Sequence, residues 1–127
     1  MATVTLTSEA FGDTVAQSGI TIVDFWAEWC GPCRQFAPIF DAASEANPDI
    51  TFGKVDTEIE RELAGAAGIT SIPTLMAFRD GVLVFSQPGA LPAPALDQVV
   101  AAVRALDMED VHRQIAAQQA EEVPAER

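Results

Sequence analysis

Asp24-Phe25-Trp26-Ala27-Glu28-Trp29-Cys30-Gly31-Pro32-Cys33 contains the only two cysteines of this 127-residue chain. The run before them, Ile20 to Ala27, is strongly apolar. Ile20-Thr21-Ile22-Val23 and Phe25-Trp26 are β-branched or aromatic and read as a buried strand. Trp29-Cys30-Gly31-Pro32 breaks that pattern, and Pro32 suits a first helical turn, where its missing N–H would lack a partner anyway. From residue 33 to 46 the apolar residues return at helical spacing, with Phe36, Ile39, Phe40 and Ala43 on one face. Cys30 therefore falls where a strand passes into a helix N-terminus, and the free N–H groups and macrodipole there favour a thiolate. Cys33 lies one turn on, on the same face, within reach for a disulfide. The pair is expected to present an exposed, acidic thiol at Cys30 backed by a buried one at Cys33.

Outward from this stretch the chain alternates strand and helix. Val4 to Leu6 is a short candidate strand. Ser8 is the expected N-cap of a helix whose apolar side carries Phe11, Val15 and Ala16. Pro38 inside the helix after the cysteines removes the hydrogen bond to the Arg34 carbonyl, so a bend is expected. Asn47-Pro48-Asp49 is a turn. Ile50 to Val55 is a strand, parallel to the central one if the helix between them is a crossover. Asp56 to Ala67 reads as a short helix with Leu63, Ala64 and Ala67 inward, ended by Gly68. Thr74 to Arg79 and Val82 to Ser86 form a hairpin about Asp80-Gly81. Leu91 to Leu106 is the last helix of the domain. The order predicts an α/β fold, a central mixed sheet with helices on both faces.

Composition narrows the function. A chain of this length forms one domain with a real core. Its net charge of −12, from 19 acidic against 7 basic residues, argues against nucleic acid and anionic membrane partners. No apolar run approaches the roughly 20 residues of a membrane span. Met-Ala-Thr-Val-Thr-Leu-Thr-Ser has neither a basic nor an apolar leader segment, so a reducing cytoplasm is expected. Zinc, the other use of C-x-x-C, needs about four protein ligands at a structural site, and only His112 could join the cysteines. No metal is expected.

Three separated motifs then resemble the thioredoxin family. They are Trp29 to Cys33 preceded by Val23-Asp24-Phe25-Trp26-Ala27, the Ile72-Pro73-Thr74 turn, and the Pro88-Gly89-Ala90 loop. The resemblance spans roughly residues 3–106 and implies a thioredoxin fold for a domain of residues 1–107. Residues 108–127 form an extension, partly helical through Met108, Val111 and Ile115 and then disordered from Glu121 onward. The first expectation for it is a solvated helical extension, and the sharper one is an apolar stripe packed on the domain or on a partner. Arg34 follows the motif where many relatives have Lys, and the charge is kept.

The resemblance implies a protein-disulfide reductase, a general cytosolic electron donor in redox homeostasis. Cys30 attacks and Cys33 resolves. Gly31 and Pro32 help to set a reducing potential. Asp24, inside the apolar strand, is expected to be buried, and burial raises its pKa. It could take the Cys33 proton, the role that the family implies, or pair with Lys54 on the neighbouring strand; the two readings are compatible. Trp29, Ile72, Pro73, Gly89 and Ala90 would form an apolar docking surface, with Pro73 resembling the family's cis-proline. No cofactor is expected on the chain itself. Its Cys30–Cys33 disulfide would be reduced indirectly by NADPH through a flavoprotein, thioredoxin reductase. Partners would be that reductase and disulfide-containing proteins, met by a monomer. A second class of reading is a binding module in which the thiols are dispensable. A third, an oxidase or isomerase, has the Gly-Pro dipeptide against it.

Overall fold

The computed structural model describes residues 2–122: Glu121 and Glu122, expected to be disordered, are helical, and the rest of that tail lies outside the described residues. The elements run β1 Val4–Thr5, α1 Ser8–Ala16, β2 Ile20–Trp26, α2 Gly31–Ala46, β3 Thr51–Asp56, α3 Arg61–Ala66, β4 Thr74–Arg79, β5 Val82–Pro88, α4 Ala93–Ala105 and α5 Met108–Glu122. The sheet order is β1-β3-β2-β4-β5. β1, β3 and β2 are parallel, while β4 and β5 join antiparallel. The expected mixed sheet is present, with β2 at its centre.

Strand alternation divides β2 between two cores. Ile22 points to the face covered by α2 and α4, among Phe36, Phe40, Phe52, Leu96 and Val100. Val23 and Phe25 point to the other face, where Phe11 and Val15 of α1 and Leu63 of α3 cover them. Because both faces are covered, the whole of Thr21 to Phe25 is buried, Asp24 included. Gly53 of β3 is required by a close approach, because a β-carbon there would collide with the Leu6 side chain. Asp80 and Gly81 both have positive φ, 53° and 82°, the conformation of a tight hairpin turn.

Several boundaries differ from the sequence reading. The N-cap of α1 is Thr7, whose hydroxyl accepts from the Ala10 amide at 3.3 Å. Ser8 instead donates its hydroxyl hydrogen to Glu60 at 2.7 Å, and Ala16 is exposed. α3 is half the expected length. The Asp56 side chain accepts from the Glu58 amide at 2.9 Å and holds the preceding residues in a turn, a local bond that competes with helix formation. β5 runs two residues further than expected, to Pro88. α2 begins at Gly31 and passes through Pro38 as one element.

The extension is helical. Val111 and Ile115 of α5 are half-buried and, with Val82, Leu83 and Val84 of β5 and Leu106, line a shared hollow of about 230 Å³. At the foot of α4, a single Arg79 nitrogen, Nη1, donates to the carbonyls of Val103, Arg104 and Leu106 at 2.8, 3.0 and 2.9 Å. No helix among the described residues is long and apolar enough to cross a membrane.

Candidate active site

The site sits where β2 gives way to α2. Cys30 is the N-cap of α2, and its sulfur accepts the Cys33 amide hydrogen with an N···S distance of 3.2 Å. Arg34 donates its amide to the Cys30 carbonyl at 3.1 Å, so the first helical turn is wound about this one residue. Cys30 and Cys33 are joined as a disulfide with Cα atoms 5.2 Å apart. An amide aimed at the sulfur, reinforced by the helix dipole, stabilises negative charge there once the disulfide opens.

Both cysteines are enclosed, Cys30 at 4% exposure and Cys33 at 2%. The expected contrast of exposed and buried thiols is therefore absent from the disulfide state, in which Ala27, Trp26 and Ile72 pack around the pair. What distinguishes the two is direction. A cleft of about 650 Å³ is lined by Trp29, Cys30, Gly31, Pro32, Ile72 and residues of the α3 side, and Cys33 is not part of its wall. An attacking group entering the cleft meets Cys30.

Ile72 closes the far side. Its carbonyl oxygen is 3.7 Å from the Cys30 sulfur, a contact that becomes a hydrogen bond only when that sulfur carries a proton. The Ile72–Pro73 peptide is cis, as the resemblance implied. Gly89 donates its amide to the Pro73 carbonyl at 2.8 Å and has φ +104°. Gly89 thus steadies the proline loop from behind. Neither Gly89 nor Ala90 lines the cleft, although both are exposed.

The cleft has a polar wall that the sequence reading did not identify. Trp29 is 67% exposed, and its indole nitrogen donates to Glu58 Oε2 at 3.2 Å. Glu58 Oε1 in turn accepts from Arg61 at 3.1 Å. Thr57, Glu58, Arg61, Thr70 and Ser71 all line the cleft. They come from the turn before α3, the first residue of α3 and the loop after it, all distant in sequence from the cysteines, and nothing local marks them beforehand.

Asp24 lies beneath α2, fully buried, and both its carboxyl oxygens lack a hydrogen-bond partner. Lys54 is its direct neighbour in the β2–β3 register. The expected ion pair is not formed: the Lys54 amine stands over the Trp26 ring, 4.8 Å from its centroid. Burial pushes the Asp24 carboxyl up to about 7. The Lys54 charge works against that rise, and the Asp41 carboxylate adds to it. A carboxyl near 7 is matched to proton transfer at neutral pH. Among the described residues no group of three or more His, Cys, Asp or Glu is arranged to hold a metal ion.

Comparison with known proteins agrees with this geometry. The thioredoxin family model matches residues 2–102. A thioredoxin 2 relative from Streptomyces coelicolor is 57% identical over 119 residues, covering 94% of this chain and 89% of its own. The thioredoxin of Bacillus subtilis is 37% identical over 79% of this chain and 96% of its own. Among solved structures, Plasmodium falciparum thioredoxin superposes with a TM-score of 0.72 at 33% identity, over 79% of this chain and 97% of that one. The oxidised form of yeast mitochondrial thioredoxin 3 gives a TM-score of 0.72 at 30% identity, over 79% of this chain and 94% of that one.

Proposed function

The chain belongs to the thioredoxin family and is a protein-disulfide reductase; from that premise we propose a division of labour among its residues. Cys30, as thiolate, attacks one sulfur of a substrate disulfide, forming a mixed disulfide and releasing the other substrate sulfur as thiolate. Cys33 then attacks Cys30. Its proton passes to Asp24, the Cys30–Cys33 bond forms, and the second substrate sulfur leaves with the bonding pair. The substrate gains two electrons and the cysteine pair loses two. No bound cofactor takes part, because the electrons travel on the disulfide itself.

The observation that carries this assignment is the facing of the cysteines: Cys30 borders the cleft and Cys33 does not. The amide of Cys33 on the Cys30 sulfur supports the same order. Trp29 and Ile72 form the walls against which an extended substrate segment would lie, with Pro73 behind Ile72 and with Gly89 and Ala90 at the margin. Gly31 and Pro32 tune the potential, and Lys54 tunes Asp24.

Thioredoxin reductase, drawing on NADPH, would restore the dithiol, and the protein would work as a cytoplasmic monomer. Residues 1–107 would be the working domain and residues 108–127 an appendage to it. Cys30→Ser is expected to abolish reduction of a disulfide-bonded test protein, while Cys33→Ser accumulates the mixed disulfide. Trapping on the Cys30→Ser protein through Cys33 would reverse the assignment. A double Cys→Ser protein that kept full biological function would replace the reductase role with that of a binding module.

A further inference from the structure

Three buried side-chain oxygens stand without a hydrogen-bond partner among the described residues: both carboxyl oxygens of Asp24 and Oδ1 of Asp41. Leaving such an atom without a partner is unfavourable, so they are scarce in folded proteins. That all three belong to carboxyl groups on two packed elements asks for a joint explanation.

The elements face each other. Ile22 of β2 packs on Phe36 and Phe40 of α2, and Asp24 is the next β2 residue on that face. On α2, Cys33, Ala37 and Asp41 follow at i, i+4 and i+8, a stripe about 12 Å long. The resolving cysteine stands at one end of the stripe and Asp41 at the other. Asp41 is half-buried, with Oδ1 turned away from solvent.

The other charges near Asp24 are few. β3 supplies Lys54, opposite it in the register, and β4 supplies only the apolar Leu75 there. Asp56, further along β3, is engaged by the Glu58 amide. Glu45 lies one turn past Asp41 on α2. Asp24 thus stands between two opposed influences, the Lys54 ammonium favouring its anion and the Asp41 carboxylate disfavouring it.

We propose that Asp41 is a positioning residue for the resolving step: facing Asp24 from α2, it acts through that carboxyl on the transfer of the Cys33 proton and so sets the pH at which the mixed disulfide is released. The effect passes through Asp24 and needs no contact between Asp41 and substrate. It explains why a helix that otherwise buries Phe36, Phe40 and Ala43 also turns one carboxyl oxygen inward.

This inference rests on Asp24 as the base, and the test separates the two. Asp41→Asn removes the charge and keeps the shape, and Asp41→Ser serves as a second variant should Asn disturb the helix. Carbon NMR of a labelled Asp24 carboxyl in the reduced protein gives its titration midpoint. Single-turnover release of a mixed disulfide gives the pH midpoint of resolution. Removing the Asp41 charge is expected to lower the Asp24 midpoint by about half a pH unit. Lys54→Met is expected to raise it, and the release midpoint should follow both changes. An Asp24 midpoint that stays put or rises on loss of the Asp41 charge overturns the proposal. A midpoint that falls while the release profile stays in place shows the carboxyls coupled, but overturns Asp24 as the base and with it any control of release by Asp41.

Discussion

Asp24, proposed above as the base, is the residue at which function and stability would conflict. Its carboxyl is raised by burial to about 7, from an ordinary 3.8. Below 3.8 it is neutral in both folded and unfolded chains and has no effect. Between 3.8 and about 7 the unfolded chain ionises first, so stability falls as pH rises, and above about 7 the loss is complete. A displacement of that size corresponds to roughly 4 kcal/mol. Asp24→Asn is therefore expected to raise stability at pH 8 by more than it does at pH 4, by on the order of 2–4 kcal/mol in urea unfolding. It should also slow release of the mixed disulfide near neutral pH and leave first attack largely intact. An equal stability change at both pH values would refute the linkage. The Gly31-Pro32 pair is expected to hold the reduction potential near the thioredoxin level of about −270 mV, measured by equilibration against defined dithiol buffers. A potential some 100 mV higher, near a strong oxidant's, would point to oxidase chemistry. Cys30, Cys33 and Asp24 could be found in the sequence because each is anomalous where it stands, a thiol at a helix start or a carboxylate in an apolar strand. Asp41, Glu58 and Arg61 could not. An acidic residue on an amphipathic helix, or a charged pair at a helix start, looks the same whether it faces solvent or a site.

The elements were legible to the extent that their hydrophobic period was. β2, α2, β4 and α4 lie close to their expected places because apolar residues recur at a strand or helix spacing over most of their length. Where side chains compete with the backbone, periodicity fails. Asp56 holds the residues after β3 in a turn and shortens α3, and Thr7 rather than Ser8 caps α1. Arg79 had no sequence signal, since its three carbonyl partners belong to the end of α4 and the residues beyond it. Its guanidinium bonds carbonyls at the helix end, of which Val103's also accepts the Leu106 amide, and complements the negative end of the dipole. Arg79→Met is expected to lower unfolding stability by about 1–2 kcal/mol and to raise amide exchange most strongly in the last turn of α4. Uniform exchange along α4 would deny Arg79 this local role. Arg104 ties the same helix end to the loop after α2, bonding Asp49 at 2.7 and 2.9 Å and holding that carboxyl down to about 2. The benefit of that pair is present above the ordinary carboxylate pKa and is lost as pH falls toward about 2, and its exposure keeps it small.

At the scale of the whole molecule, the fold followed from the order of elements together with three motifs, whereas the seat of α5 did not. Met108, Val111 and Ile115 announced a stripe but not its partner, because an apolar stripe fits any apolar surface. The structure seats it beside β5, over the hollow shared with Val82, Leu83 and Val84. The alignment with the Streptomyces coelicolor relative spans 119 residues, more than the 106 up to Leu106, so it extends into this helix. Val111→Asp with Ile115→Asp is expected to lower stability by about 1–2 kcal/mol and to leave disulfide reduction unchanged, measured by urea unfolding and turnover in parallel. Unchanged stability would make α5 a free appendage.

The position of α5 also bears on how the protein behaves when crowded. β5 is the outermost strand on its side of the sheet, and β1, on the other side, is only two residues long. A bare outer strand is a template on which a second copy can add, copy after copy, into a growing fibre. Here the longer of the two outer strands has a helix with an acidic first turn standing beside it. The gain from α5 would then be solubility during long storage at high concentration. Loss of α5 should first appear as turbidity and sedimenting aggregate in a concentrated stock, while each remaining dissolved molecule still reduces disulfides at its normal rate.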